Sequence, residues 1–316
     1  MQFISEADVH RIFTPALALE AARAAFLALA AGNVTMPQRL SLPADESGVY
    51  LVMPCAAPGV GLGTKLVTVH PKNATRGLTT IHSSYVLQNA VTGEPEAVIE
   101  ARALTERRTA AVSALAASFL AREDASVLGV IGAGPQARAQ AEALLKIRKF
   151  KHVWLWNRTT DAARDFQFDL DPLGIHVALA PSLEHLIRES DVISSATRSD
   201  TPLILGEWLK PGQHLDLVGA FTPAMCEADS SSVKLSTVVV DNLNAAQNGA
   251  GELIQASLEG WSWNNARELS SIVSGVSVGR NSSQDISLFK SVGLAVEDLF
   301  AARAVLSALG VSKYLT

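Results

Sequence analysis

The sequence predicts an α/β protein in which a doubly wound parallel sheet is joined to a smaller α+β part, and three observations carry that expectation. An apolar run, Val127-Leu128-Gly129-Val130-Ile131, passes through a glycine-rich turn into a helical stretch over residues 135–147. Further short apolar runs follow at 153–156, 175–178, 192–195, 215–218 and 238–240, several with helical stretches between them, which is the alternation a parallel sheet with crossover helices requires. Upstream, residues 50–53, 63–69, 79–87 and 96–99 are apolar runs broken by Gly, Pro and Asn. They read as antiparallel strands, with Thr92-Gly93-Glu94-Pro95 as the turn between the last two.

Helical signals frame that upstream region. Ser5 is placed to cap a short helix, and Thr14-Pro15 starts a longer one that Gly32 stops. Thr105 reads as the N-cap of a helix through Ala121 that leads out of the strand region. After Gln284 a last helical stretch, through Phe289, Leu294 and Leu299 to Leu309, is expected to carry the chain back to the first domain. At 316 residues the chain is longer than one hydrophobic core usually supports, so two domains are the default.

Composition excludes several classes. Hydrophobic residues make up 48%, yet no apolar run reaches the roughly 18 residues of a bilayer span. Glu6 and Asp8 interrupt the opening segment, which lacks the basic head and apolar stretch of a secretory signal, so a soluble, cytoplasmic protein with no membrane partner is expected. Two cysteines, Cys55 and Cys226, cannot build a disulfide framework, and no Cys/His spacing suggests a metal site. A net charge of -5 with scattered basic residues lacks the footprint of a nucleic-acid binder. The partner is expected to be a small molecule or a second copy of the chain.

The turn after residue 131 is Gly132-Ala133-Gly134-Pro135-Gln136-Ala137, a GxGxxA pattern between a predicted strand and a predicted helix. Gly132 permits the tight turn, Gly134 lets backbone approach a pyrophosphate, and Ala137 lets the helix pack closely on the strand. This is the signature of a Rossmann dinucleotide site with the anion at the helix N-terminus. The second strand ends in Trp156-Asn157-Arg158-Thr159, where an NAD site would place an acid that holds the ribose hydroxyls. A cation and two hydrogen-bonding groups there favour NADPH, with NADH possible if Arg158 instead lies flat on the adenine.

In the strand region, Lys65 stands within the apolar run Gly63-Thr64-Lys65-Leu66-Val67. Alone it would read as a solvated edge residue. Thr80, His82 and Ser84 alternate along the next predicted strand and so share one face, either a polar site or a solvated surface. Arg107 and Arg108 fall in the first turn of the helix that Thr105 is expected to cap, where the helix dipole disfavours cations, so a bound anion would resolve the conflict; exposed arginines tolerate the position too. Arg39 reads as a loop residue.

These segments, with His70-Pro71-Lys72-Asn73, Gly77-Leu78-Thr79-Thr80, Leu104 to Ala111 and Phe289-Lys290-Ser291-Val292-Gly293, resemble the ornithine cyclodeaminase/mu-crystallin family in order and spacing over almost the whole chain. The resemblance implies a homodimer whose subunit has a discontinuous α+β substrate-binding and dimerisation domain, residues 1–118 and 302–316, and a Rossmann domain, residues 119–301. By motif match, Arg39, Lys65 and Arg108 would hold a substrate carboxylate and Thr80 would lie near the reacting nitrogen; His82, by its own chemistry either a proton source near neutral pH or a strand histidine bonded to backbone, completes the catalytic set Lys65, Thr80 and His82. Thr109, Gly132, Gly134, Pro135, Gln136, Ala137, Asn157, Arg158, Thr159, Ser195, Ala196, Thr197, Val218, Gly219, Lys290 and Ser291 would seat the cofactor.

One departure bears on the reaction. Cyclodeaminases of this family carry an aspartate two residues before a proline after the fifth Rossmann strand, whereas this chain reads Gly219-Ala220-Phe221-Thr222-Pro223. Phe221 cannot act as a base, although Glu227 or Asp229 lie close enough in sequence to reach in. The stretch is more similar to the family's cyclic ketimine reductases, which implies reduction of a small imino acid such as 1-pyrroline-2-carboxylate or 1-piperideine-2-carboxylate. An ornithine cyclodeaminase, an alanine dehydrogenase and a non-catalytic ligand-binding protein are the alternatives the family offers.

Overall fold

The computed structural model describes residues 1–44, 48–170 and 175–310. The chain divides into two compact units, Met1–Ala111 with Leu294–Thr316, and Val112–Gly293. In the first unit, β1 (Gln2–Ile4) precedes α1 (Glu6–Ile12) and α2 (Pro15–Ala30). The Ser5 and Thr14 hydroxyls cap the two helices by accepting from Asp8 and Leu17 N–H, and Gly32 turns the chain out of α2 with φ +70°. Strands β2 (Leu40–Pro43), β3 (Val49–Ala57), β4 (Gly61–Val69), β5 (Ile81–Gln88) and β6 (Pro95–Glu100) form an antiparallel meander. β1 adds in parallel beside β6, giving the order β1-β6-β5-β4-β3-β2. The short strands β1 and β2 carry no alternation long enough to read in the sequence.

Period-two alternation decides which side of this sheet is core. Met53, Cys55, Ala57, Lys65, Val67, Tyr85 and Leu87 are buried on one face, against the C-terminal helix Ala295–Ala308, which packs on β3, β4, β5 and α2. Gly63 makes that packing possible: a Cβ there would lie 2.0 Å from the Tyr85 hydroxyl oxygen. The opposite face carries half-buried Tyr50, Val52, Leu62, Leu66 and Val86.

Helix α3 (Arg102–Leu120) departs from expectation at its start. It begins almost directly after β6, with Ala103 and Leu104 already in the core, so Thr105 is an interior residue whose N–H donates to Ala101 C=O at 2.9 Å rather than a cap. Arg107 and Arg108 therefore sit one turn deeper than the sequence implied. The helix also crosses from one unit into the other: Ser113 accepts a hydrogen bond from Gln140, and Ala117 and Ala121 join the core of the second unit. That places the boundaries at 111/112 and 293/294 instead of 118/119 and 301/302.

The second unit continues with β7 (Val127–Ile131), α4 (Pro135–Ile147), β8 (His152–Trp156), α5 (Thr160–Leu170), β9 (His176–Leu179), α6 (Leu183–Glu189) and β10 (Val192–Ser195). It then runs through β11 (His214–Leu217), α7 (Ser230–Leu235), β12 (Ser236–Val240), α8 (Leu243–Gly249), α9 (Gly251–Leu258), β13 (Arg267–Glu268), α10 (Leu269–Val273) and β14 (Ile286–Lys290). All pairings are parallel, in the order β13-β12-β14-β11-β10-β7-β8-β9, with a hydrophobic cluster on each face. This is a Rossmann-type doubly wound sheet.

β14 corrects the expectation of one continuous helix after Gln284. It lies between β12 and β11, and Ser287, Leu288, Phe289 and Lys290 are all buried. A strand covered on both faces shows no alternation, so its sequence cannot be told from a buried helical segment by periodicity. The expected helix is confined to Ala295–Ala308.

Among the described residues no single helix is long and apolar enough to cross a membrane; α1 and α2 together have the length and composition, but a 90° bend separates them.

His214 is wholly buried beside Arg280 and Arg148. The Ser287 hydroxyl donates to Leu120 C=O at 2.9 Å, so it accepts from His214 Nδ1 at 3.0 Å, which fixes the tautomer. Burial first, then the two guanidinium charges, lower the imidazole pKa to about 3. Because the folded value lies below the ordinary value of about 6.5, the neutral ring's contribution is fully present above that pH and is lost as pH falls toward 3. Urea midpoints should accordingly drop between about pH 7 and pH 5 more in the unaltered protein than in His214→Asn. Equal drops in the two proteins would assign the acid sensitivity elsewhere.

Candidate active site

The C-terminal edge of the parallel sheet is built around the turn after β7. Gly132 adopts φ +109°, and its N–H donates to Trp156 C=O at 2.9 Å. A Cβ on Gly132 would stand 2.8 Å from Ala196 C=O, so the loops after β7 and β10 approach as closely as glycine allows. A Cβ on Gly134 would meet nothing within 4 Å. Gly134 is the N-cap of α4, no side chain caps that helix, and Pro135 occupies its first turn. The helix N-terminus thus opens on uncrowded space, which suits a pyrophosphate. Ala137 is buried in the core cluster beneath, while Gln136 is half-buried. Since β8 and β9 lie on one side of β7 and β10 on the other, this crevice is the topological switch point of the sheet.

At the end of β8 the Asn157 amide donates to Thr159 C=O at 3.0 Å and to its hydroxyl at 2.8 Å, shaping a turn that leaves Arg158 exposed. The turn Asn157-Arg158-Thr159 supplies a cation and no carboxylate; the nearest acid, Asp161, lies in the first turn of α5.

The loops after β10 and β11 are tied together by a residue the sequence considered only as a stray base. Glu227 is fully buried. Its Oε1 accepts from Ser195 Oγ (2.7 Å), Thr197 N (2.8 Å) and Thr197 Oγ1 (2.8 Å), and its Oε2 from Gly219 N (2.7 Å) and Ala220 N (3.2 Å). Ser195 and Thr197, expected to face a cofactor, spend their hydroxyls on this carboxylate. Val218 N–H donates to Ser195 C=O at 3.1 Å, so Ala196 and Gly219 are held as main chain at the strand ends. Asp229 is equally engaged as the N-cap of α7: burial would raise its pKa, but hydrogen bonds from Ser231, Ser232 and Gly206 hold it below the ordinary value. Neither acid replaces the base that Phe221 lacks.

Lys290 and Ser291 also turn inward. The Lys290 ammonium is fully buried 3.1 Å from Glu252 Oε1, and the Ser291 hydroxyl donates to Asp241 Oδ2 at 3.0 Å. Their side chains brace the ends of β14 and β12.

In the first unit Lys65 and Arg108 meet, although not where the sequence put them. Lys65 is 2% exposed and Arg108 6%. Lys65 Nζ donates to Asp298 Oδ1 at 2.9 Å and lies 2.8 Å from Oδ2. Arg108 Nε donates to the same Oδ1 at 2.9 Å, and its Nη1 to Glu297 Oε2. The anions that answer Arg108 are thus carboxylates of the C-terminal helix, and its position in the second turn of α3 removes the dipole argument. Arg107 is satisfied by carbonyls at the end of α1, donating to His10 and Phe13 C=O at 2.7 Å.

The register separates the expected catalytic set. Lys65 pairs with Tyr85 and shares its buried face, whereas His82 pairs with Thr68 and Ser84 with Leu66 on the opposite face, where both are exposed. Thr80 precedes β5, and its carbonyl accepts from His70 N–H at 2.8 Å. Directly paired residues share a face and successive residues along a strand alternate, so in this register His82 and Ser84 cannot reach the side that Lys65 faces. Arg39, before β2, and Thr109, beside Arg108, are half-buried. Among the described residues no group of three or more His, Cys, Asp or Glu is placed to hold a metal.

A sequence profile described as the ornithine cyclodeaminase/mu-crystallin family matches residues 1–311. The chain belongs to that family. Among this family's relatives, the Delta(1)-pyrroline-2-carboxylate reductase of Bacillus cereus is 38% identical over 291 residues, covering 90% of this chain and 89% of the relative. Among solved structures, Thermococcus litoralis Delta(1)-pyrroline-2-carboxylate reductase in complex with NADH and L-proline superposes with a TM-score of 0.94 at 32% identity, covering all of both chains (100% and 100%). An archaeal alanine dehydrogenase dimer with bound NAD gives a TM-score of 0.93 at 30% identity, covering 99% of this chain and 97% of that one.

In this family member, five donors converge on an acceptor-only group at Glu227. Glu227→Gln turns an amide NH2 toward at least one of them, leaving a buried donor unmet, so the unfolding free energy should fall by about 2–3 kcal/mol. Urea titration of the variant measures this, and a loss under about 0.5 kcal/mol would show that the carboxylate does not hold the loops.

Proposed function

We propose that the chain is a nicotinamide-dependent reductase of cyclic ketimine carboxylates, converting 1-pyrroline-2-carboxylate or 1-piperideine-2-carboxylate to L-proline or L-pipecolate. The observation that carries this reading is the pair of buried cations, Lys65 and Arg108, drawn together on one carboxylate in the first unit. A planar substrate carboxylate is the small anion such a pair is suited to clamp. The relatives and the GxGxxA turn support the same reading. The chain is an oxidoreductase acting on a C=N bond, and its family kinship to pyrroline-2-carboxylate reductases favours the ring over an open chain.

A bound nicotinamide would supply the hydride that C2 of the protonated imine accepts, the C=N π pair moving to the already protonated nitrogen to leave the neutral amine. Gly132, Gly134 and the N-terminus of α4 hold the pyrophosphate, and Arg158 with Asn157 and Thr159 reads the 2′-phosphate of NADPH, with NADH also accepted. Lys65 and Arg108 hold the substrate carboxylate so that C2 is presented in one orientation. A protonated imine nitrogen makes C2 more electrophilic, so the reaction is expected to run through the iminium form of the substrate. Arg39, Thr80 and Thr109 are assigned by family resemblance alone, and His82 has no part in the clamp. The missing base at Phe221, with Glu227 and Asp229 both engaged, weighs against deamination of ornithine.

A homodimer is the expected assembly, with the half-buried apolar face of the meander (Tyr50, Val52, Leu62, Leu66, Val86) as its contact surface. Two free thiols fit a cytoplasmic location.

Purified protein incubated with NADPH should oxidise it on addition of either cyclic imine, and should release no ammonia from ornithine. Activity restricted to pyruvate with ammonia would replace this reading with alanine dehydrogenation, and cofactor binding without turnover on any of these would make the chain a binding protein. Arg158→Ala should raise the KM for NADPH by roughly five- to hundredfold while leaving that for NADH nearly unchanged. Equal effects on both cofactors would return Arg158 to a stacking role.

A further inference from the structure

Lys65 and Arg108 are held by two acids of the C-terminal helix, Asp298 and Glu297, that no sequence motif singled out. Asp298 is completely buried, and a single oxygen, Oδ1, accepts from both cations at 2.9 Å. Glu297, its neighbour in the first turn of the C-terminal helix, takes the far end of the Arg108 guanidinium. Two like charges within reach of one another repel, and out of water that repulsion is weakly screened. Without a shared anion the two cations would move apart or one would lose its proton.

We infer that Asp298 is a positioning residue, which fixes the spacing of Lys65 and Arg108 so that the pair can receive a substrate carboxylate. This rests on the function proposed above. Glu297 has the narrower task of orienting Arg108.

The surroundings of Lys65 support the assignment from every side. Across the sheet are Tyr85 on β5 and Cys55 on β3; burial raises the pKa of both, and the nearby Asp298 charge adds to it, so neither offers a counter-charge near neutral pH. Arg108 comes from α3, and from the C-terminal helix come Glu297, Asp298 and Arg303, the last of which is paired with Glu96 of β6 at 2.5 Å. Burial first, and then the Arg108 charge, lower the Lys65 pKa to about 8, while Asp298 and Glu297 oppose the fall. Removing the Asp298 charge therefore lowers it further, and the protonated form is lost at a lower pH.

The test is the pH dependence of kcat/KM for imine reduction by the full-length protein. Asp298→Asn should lower kcat/KM ten- to hundredfold at neutral pH, chiefly through KM, and move the alkaline limb at least one pH unit toward acid. Its NADPH dissociation constant, read by fluorescence, should stay within twofold. Asp298→Glu, which restores the charge, should return the limb toward its original position. Lys65→Arg approaches the same linkage from the other partner, because arginine does not titrate in this range, and should remove the limb altogether even if Asp298→Asn fails to fold. An unmoved limb in a folded Asp298→Asn, or a limb that persists in Lys65→Arg, overturns the inference. Absence of imine reduction in the unaltered protein would instead overturn the function on which it rests.

Discussion

A parallel sheet leaves backbone N–H groups at its ends that no neighbouring strand can use, and in this chain buried and half-buried carboxylates answer them. Asp191 at the N-terminal edge accepts from Ser126 N (2.7 Å) and Val127 N (3.0 Å). Glu227 does the same for the loops after β10 and β11. Asp241 accepts from Asn242 N (2.8 Å), Val292 N (2.7 Å) and Gly293 N (2.8 Å) at the end of β12. Burial raises the pKa of Asp241, and the N–H donors around it work against that rise. Each such group repays its desolvation only while its donors stay aimed at it. The strand-end loops are therefore fixed before any ligand arrives, and the nucleotide turn inherits that rigidity.

This economy explains which parts of the second unit were legible in the sequence. The turn from Gly132 to Ala137 was readable because each small residue meets a separate steric limit, and Pro135–Ile147 because half of a helix must be apolar. β14 was not, because a strand packed on both sides has no polar face to betray its period. Ser195, Lys290 and Ser291 were assigned outward roles from motif position alone, whereas their side chains complete the buried network. Only their partner acids, Glu227, Glu252 and Asp241, record that in the sequence, and an isolated acid gives no sign of how many donors converge on it.

In the first unit, register rather than burial hides the site. Strand spacing puts Thr80, His82 and Ser84 on a common side, and His82 and Ser84 do share one face of β5, but the side relative to Lys65 depends on which residue pairs with which. Lys65 opposite Tyr85 puts the lysine indoors and the histidine outdoors, and register of that kind is set by the connection between β4 and β5, residues 70–80. Arg108 was flagged for a dipole conflict that the true start of α3 dissolves. It nevertheless proved to be the right neighbour for Lys65, because both answer Asp298. That contact joins residues separated by 233 and 190 positions, and no local pattern announces it.

Gly63 has a consequence of its own. Any side chain at that position would collide with the Tyr85 ring as well as its hydroxyl, at 2.6 Å and 2.7 Å for the nearest ring carbons. Trimming the phenol to phenylalanine would not open enough room. Positions 63 and 85 are therefore locked as a pair across evolutionary drift: a larger residue on β4 becomes admissible only after the aromatic ring on β5 has gone. Because Lys65 stands two residues along the same face, relatives that have made that exchange will have reshaped the wall beside the lysine, and with it the outline of whatever the lysine holds.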